Sequence, residues 1–315
     1  MFILGVTCGN PPISRNAISK TVHPMKLRLK AKTVIRKCRK FLYHRIGSSP
    51  NGRQAKAFIL GCQRSGTTLL LNVFDADTQC YAYPEWSELC VEGDMRRTLR
   101  WRPLDELKQM VARNPAPLVV MKPIVESQRA NEILDVFPDA HAIWMFRHFS
   151  DVARSNVLQF NARLNDLGPL VRNDPSDWRS SHASDEVRSF IRQFYEDDLT
   201  DNEAAALFWY ARNQLYFDQT LNQHPRIRLL QYENLVAAPR FWLQQVYDFI
   251  GAVYPNDGVE QIPHRASVGK GKDCQIRRPI TGACQEFFEK LRSLADVQWS
   301  DQATQKFPAG QNESV

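Results

Sequence analysis

The reading of this chain turns on the stretch Ala57-Phe58-Ile59-Leu60-Gly61-Cys62-Gln63-Arg64-Ser65-Gly66-Thr67-Thr68. Its first four residues form a short apolar run, the length of a buried strand. A glycine-containing turn follows, and from Thr68 to Asp75 the apolar residues recur at helical spacing. Strand, turn and helix in this order aim backbone N–H groups at an anion, and the helix N-terminus adds the positive end of its dipole. Gly61 and Gly66 stand at the spacing of the kinase-type loop GxxxxGK[ST], yet Thr67 occupies the lysine position. The one long cation of the loop is Arg64, three residues upstream. That displacement argues against a kinase or ATPase, which needs the lysine on its β/γ-phosphates.

Working outward, Leu118-Val119-Val120-Met121, His141 to Phe146 and Arg226 to Gln231 read as further buried strands. Helical patterns cover about 104–113, 126–137 and 240–250, and another helix begins near Ser150. The alternation predicts an α/β fold: one P-loop-type parallel sheet with helices on both faces, in a single domain. Residues 166–186, rich in Gly, Pro, Asp and Ser, read as a long surface loop.

Charge divides the chain by position. Residues 1–56 hold 13 of the 41 Lys and Arg and no acid, leaving 28 basic against 34 acidic residues beyond. The net charge of +7 therefore belongs to a leader, and the mildly acidic body excludes a body-wide nucleic-acid footprint. We expect a basic leader over 1–55, the catalytic domain over 56–300 and a polar tail over 301–315. Within the leader, Leu27, Val34, Cys38, Phe41 and Ile46 fall near helical spacing among basic residues. Such a segment suits peripheral contact with an anionic membrane surface, or loose packing on the domain. No run of 18 apolar residues predicts a transmembrane helix. Seven cysteines without CxxC spacing fit reduced thiols, hence a cytoplasmic location, and no ligand cluster predicts a metal.

Arg64-Ser65-Gly66-Thr67-Thr68 resembles the 5′-phosphosulfate loop of the sulfotransferases that use 3′-phosphoadenosine 5′-phosphosulfate (PAPS), where (Lys/Arg)-Ser-Gly-Thr-Thr directly follows a strand. Arg147-His148-Phe149-Ser150-Asp151-Val152-Ala153-Arg154-Ser155 is similar to that family's 3′-phosphate motif, in which Arg, Asp-Val and Ser recur at this spacing. The resemblance implies that Arg147 and Ser155 hold the 3′-phosphate, the arginine through a bidentate fork and the serine through a short hydrogen bond. Two positions depart from the pattern: His148 where Asp is commonest, and Arg154 where a small or apolar residue is usual. Neither is expected to touch the phosphate ligands.

The same resemblance implies transfer of the sulfuryl group of PAPS to an acceptor hydroxyl, with no metal required. The hydroxyl must lose a proton, a task for a carboxylate or histidine, and the leaving oxygen gains charge, a task for cations and N–H donors. Glu85 resembles the glutamate base of the tyrosylprotein and carbohydrate branches, which tilts the acceptor toward a carbohydrate or peptide. Glu88 and His148 are the alternative bases. Lys122 resembles a lysine near the transferring group, Tyr232 a tyrosine on the adenine side, and Ser267 with Lys270 a late loop closing over the 3′-phosphate. Each has a plainer reading: a surface lysine, a half-buried core tyrosine, a solvated basic loop. A nucleotide kinase and a non-catalytic nucleotide-binding, membrane-associated protein are the competing functions.

Overall fold

The computed structural model describes Lys40, Tyr43 and residues 54–91, 100–160, 164–195 and 198–306. Most of the amphipathic leader and the tail beyond 306 lie outside the described residues. Lys40 and Tyr43 meet the body, Lys40 through an ion pair with Asp75 at 3.2 Å and Tyr43 by donating to Gln79 at 3.5 Å.

Five parallel strands form one sheet: β1 (Ala55–Gly61), β2 (Cys80–Tyr83), β3 (Leu118–Met121), β4 (Ala140–Phe146) and β5 (Ile227–Gln231), in the order β2-β3-β1-β4-β5. The fold class is therefore the α/β parallel sheet expected from the sequence. β1 sits at the centre, where the chain's direction of winding reverses, and ligands of open α/β sheets bind at the carboxyl ends of strands beside such a switch.

Side chains alternate across the pleat and divide the core into two layers. Phe58, Leu60, Val119, Met121, Trp144 and Phe146 face one layer. Ala57, Ile59, Leu118, Val120, Ile143 and Met145 face the other. The second layer is closed by α1 (Thr67–Ala76) through Leu70, Val73 and Phe74, and later in the chain by Leu243, Val246 and Tyr247. On the first layer lie α2 (Leu104–Ala112), α3 (Ala130–Val136) and α4 (Phe149–Phe160). α5 (Leu164–Arg172), α6 (Asp185–Arg192), α7 (Asp201–Asp218), α8 (Tyr232–Ala237), α9 (Pro239–Phe249) and α10 (Arg278–Lys306) complete the chain. α7 is apolar around most of its circumference and runs buried, opened by a reciprocal Thr200–Glu203 capping box.

Three local differences from the sequence reading have physical causes. β2 was not foreseen, because Cys80-Tyr81-Ala82-Tyr83 is a four-residue edge strand with an exposed residue, not a continuous apolar run. The helix expected over 126–137 is split into a 3₁₀ turn, Ile124–Arg129, and α3. The expected loop 166–186 begins inside α5, which holds despite Gly168 and Pro169 because Leu167 and Leu170 bury completely. Among the described residues no helix is long and apolar enough to cross a membrane.

Candidate active site

The phosphate loop is shaped by what surrounds it. Gly61 donates its N–H to Ser127 Oγ at 3.1 Å, and that hydroxyl donates to Ile124 O at 2.9 Å, bracing the loop against the turn after β3. Gly66 has φ of 90°, and a Cβ there would stand 2.4 Å from Cδ2 of Tyr232, so only glycine lets the tyrosine ring pack on the loop. Arg64 has φ of 68°, an uncommon left-handed conformation for a residue with a side chain. Its Nε donates to Ser155 Oγ at 2.9 Å. Burial and the nearby Arg147 guanidinium lower the Arg64 pKa from its ordinary value.

The strand order sets the expected residues in a row along the carboxyl edge of the sheet. Glu85 follows β2, Lys122 follows β3, the phosphate loop follows β1, Arg147 follows β4 and Tyr232 follows β5. At one end, Lys122 Nζ lies 3.4 Å from Glu85 Oε2 and 3.5 Å from Thr68 Oγ1. Both side chains are largely covered, Lys122 at 9% and Glu85 at 18% exposure. Lys122 is thus no surface lysine; it bridges the expected base to the loop.

At the other end is a cleft of about 310 Å³. Arg64, Gly66, Thr67, Thr68, Arg147, Ser155, Tyr232, Ser267 and Lys270 all line it, which brings together nine of the residues singled out from sequence. Thr68 belongs to both halves of the site. Ser65 is fully buried beneath the loop, with its hydroxyl unpartnered among the described residues.

Arg147 is buried, and its guanidinium lies 4.4 Å above the Tyr232 ring. Nη2 donates to Asp151 Oδ2 at 3.0 Å and to the carbonyl of Ser267, while Nε has no partner. Ser267 therefore meets Arg147 through its backbone. Ser155 contacts Arg64 directly, so the hydroxyl that the resemblance pairs with Arg147 also reaches the phosphate loop.

Sequence reasoning assigned no role to Asp151 or Arg154. Asp151 accepts from the N–H groups of Gly269 at 2.8 Å and Gly271 at 2.6 Å, fastening the late loop to α4. A Cβ on Gly271 would stand 2.2 Å from the Ser150 backbone, so the approach is closer than any other residue allows. The i,i+4 spacing of Arg147 and Asp151 was the available signal for that pair. Arg154 was set aside, yet it lines the cleft.

The alternative bases have other surroundings. His148 stacks on Phe149, with Nδ1 2.8 Å from Ser150 Oγ. Glu88 is exposed, and its carbonyl accepts from Arg102. The two strands flanking β1 end in Lys122 and Arg147, where a magnesium-dependent kinase would want a carboxylate.

Cations, unpartnered buried donors and a glycine turn thus stand together at one strand edge of an α/β protein. The model of the sulfotransferase family matches residues 104–256, a span that holds Lys122, Arg147, Ser155 and Tyr232 and begins after the phosphate loop. The match covers just under half of the chain and is a likeness to that family. The chain is similar in structure to the sulfotransferase domain from the Synechococcus PCC 7002 olefin synthase, at 18% identity and a TM-score of 0.48 over 76% of this chain and 97% of that one. It is similar also to the sulfotransferase domain from the curacin biosynthetic pathway, at 17% identity and a TM-score of 0.46, covering 83% and 94%. A sulfotransferase from Mycobacterium avium shares 11% identity at a TM-score of 0.41, covering 88% and 83%. No curated protein matches the sequence.

Proposed function

We propose that this protein is a PAPS-dependent sulfotransferase acting on an acceptor hydroxyl, of the type that uses a glutamate base, with a carbohydrate or peptide as acceptor. The observation that carries the reading is the row Glu85, Lys122, phosphate loop, Arg147, Tyr232 along one sheet edge. A nucleotide with an anion at each end fits that row. The unpartnered Ser65 Oγ and Arg147 Nε are donors awaiting an acceptor, and three like-charged guanidinium groups, those of Arg64, Arg147 and Arg154, line one cleft.

When bound, PAPS supplies the activated sulfuryl group. The chain's own residues then have separate tasks. The loop amides, the α1 N-terminus and Arg64 hold the phosphosulfate end, while Arg147 and Ser155 hold the 3′-phosphate. Tyr232, packed between Gly66 and the Arg147 guanidinium, walls the cleft on the adenine side. Glu85 takes the proton of the acceptor hydroxyl. Lys122 orients that carboxylate and carries positive charge to the loop, where it meets negative charge developing in the transition state.

The test is direct. The full chain is titrated with PAP, the desulfonated nucleotide, by calorimetry, then assayed with labelled PAPS against saccharide and tyrosine-peptide acceptors in the presence of EDTA. PAP binding and label transfer are expected. Nucleotide consumption seen only with ATP and magnesium would overturn the proposal in favour of a kinase.

A further inference from the structure

The cleft contains more positive charge than the two phosphate arginines read from the motifs, and the carboxylates divide it unevenly. Arg147 is committed: it pairs with Asp151, bonds to the Ser267 carbonyl and lies against Tyr232. Asp151 is equally committed, to Arg147 and to the amides of Gly269 and Gly271. Arg147 keeps Nε for an incoming anion, but Asp151 offsets part of its charge, so the cleft gains from a cation with no such counter-charge.

Arg154 differs. It is exposed, lines the cleft one residue before Ser155, and no carboxylate among the described residues pairs with it. Lys270 of the late loop lines the same cleft. A guanidinium next to the expected phosphate serine has five donors to offer, and no carboxylate among the described residues takes them.

We propose that Arg154 is a further donor-binding residue, giving its guanidinium to the 3′-phosphate beside Arg147 and Ser155. This rests on the reading of the cleft as a PAPS site. It adds a ligand at a position where a small or apolar residue is usual in the family pattern.

Calorimetric titration of the full chain, wild type, Arg154→Ala and Arg154→Lys, with PAP and with adenosine 5′-monophosphate, tests it. The second nucleotide lacks the 3′-phosphate. Losing a charge-assisted fork should weaken PAP binding by roughly tenfold to a hundredfold. Adenosine monophosphate should change by less than about threefold, and Arg154→Lys should recover part of the PAP affinity because the charge remains without the fork. Tm should stay unchanged, since the side chain is exposed. Unaltered PAP affinity in Arg154→Ala, equal losses for both nucleotides, or no recovery with lysine would each overturn the assignment. Failure of the wild type to bind PAP at millimolar concentration would overturn the donor reading itself, and this inference with it.

Discussion

The ammonium of Lys122 lies 3.4 Å from the carboxylate of Glu85. The two residues leave neighbouring parallel strands, whose register aligns Tyr83 with Met121, and so emerge side by side at the sheet edge. The lysine also reaches Thr68, at the start of α1. A carboxylate, a cation and the glycine turn are thereby connected through three side chains from three strand ends.

Glu85→Gln should separate chemistry from binding. The amide keeps the shape of the side chain but cannot take a proton, and general-base catalysis contributes about 10²–10⁴-fold. A fall of that order in kcat is expected in the labelled-PAPS assay, with PAP affinity nearly unchanged. Arg64→Ala should lose affinity and rate together, because its cation meets the donor in ground and transition states alike. A Glu85→Gln enzyme retaining more than about a third of wild-type kcat, with chemistry limiting, would move the base elsewhere.

Asp151 is the fastener of the late loop, and its loss should be visible to a protease. Asp151→Asn leaves at most one of the two backbone donors satisfied and strips Arg147 of its counter-charge, a break that typically costs about 3–5 kcal/mol. We expect a lowered Tm and faster tryptic cleavage after Arg265, Lys270 or Lys272, measured by mass spectrometry under native conditions. Unchanged cleavage at these sites would mean that the loop is held by other contacts.

Glu203 links α7 to the start of α10 and should confer acid sensitivity. Burial alone would raise its pKa, but bonds from Arg277 and from the Thr200 cap outweigh this and bring it to about 2, below the ordinary 4.5. A carboxylate depressed on folding stabilises the protein above its unfolded pKa, and that contribution is lost as pH falls through the folded value. The Tm advantage of the wild type over Glu203→Gln should therefore be full at neutral pH and shrink between about 4.5 and about 2. A gap that stays constant across this range would assign the effect to packing.

Much of the fold was legible because its central strands are buried on both faces and read as unbroken apolar runs. Leu118–Met121 was foreseen at its observed bounds, and β4 began one residue earlier than expected, at Ala140. β2 was illegible for the opposite reason: at the sheet edge, Tyr81 is exposed and the pattern is broken. α5 defeated composition, since Gly168 and Pro169 signal a turn while two buried leucines hold the helix.

For the site, the phosphate loop was readable because strand, turn and helix are contiguous and need only neighbouring residues to form. The same holds for Arg147 with Ser155, one strand end and the helix after it. Contiguity could not tell a surface lysine from a bridging one. That depended on β3 lying between β2 and β1, which puts Lys122 against Glu85 and Thr68 across 37 and 54 residues of chain. Nor could it tell that Asp151 would spend its charge on Arg147 and on a loop 118 residues away. The sequence by itself determined the strand-turn-helix segments and the cationic and hydroxyl side chains that they present. Tertiary structure alone decided which of those charges are already neutralised, because pairing across a sheet edge is a matter of distance in space and not of spacing along the chain.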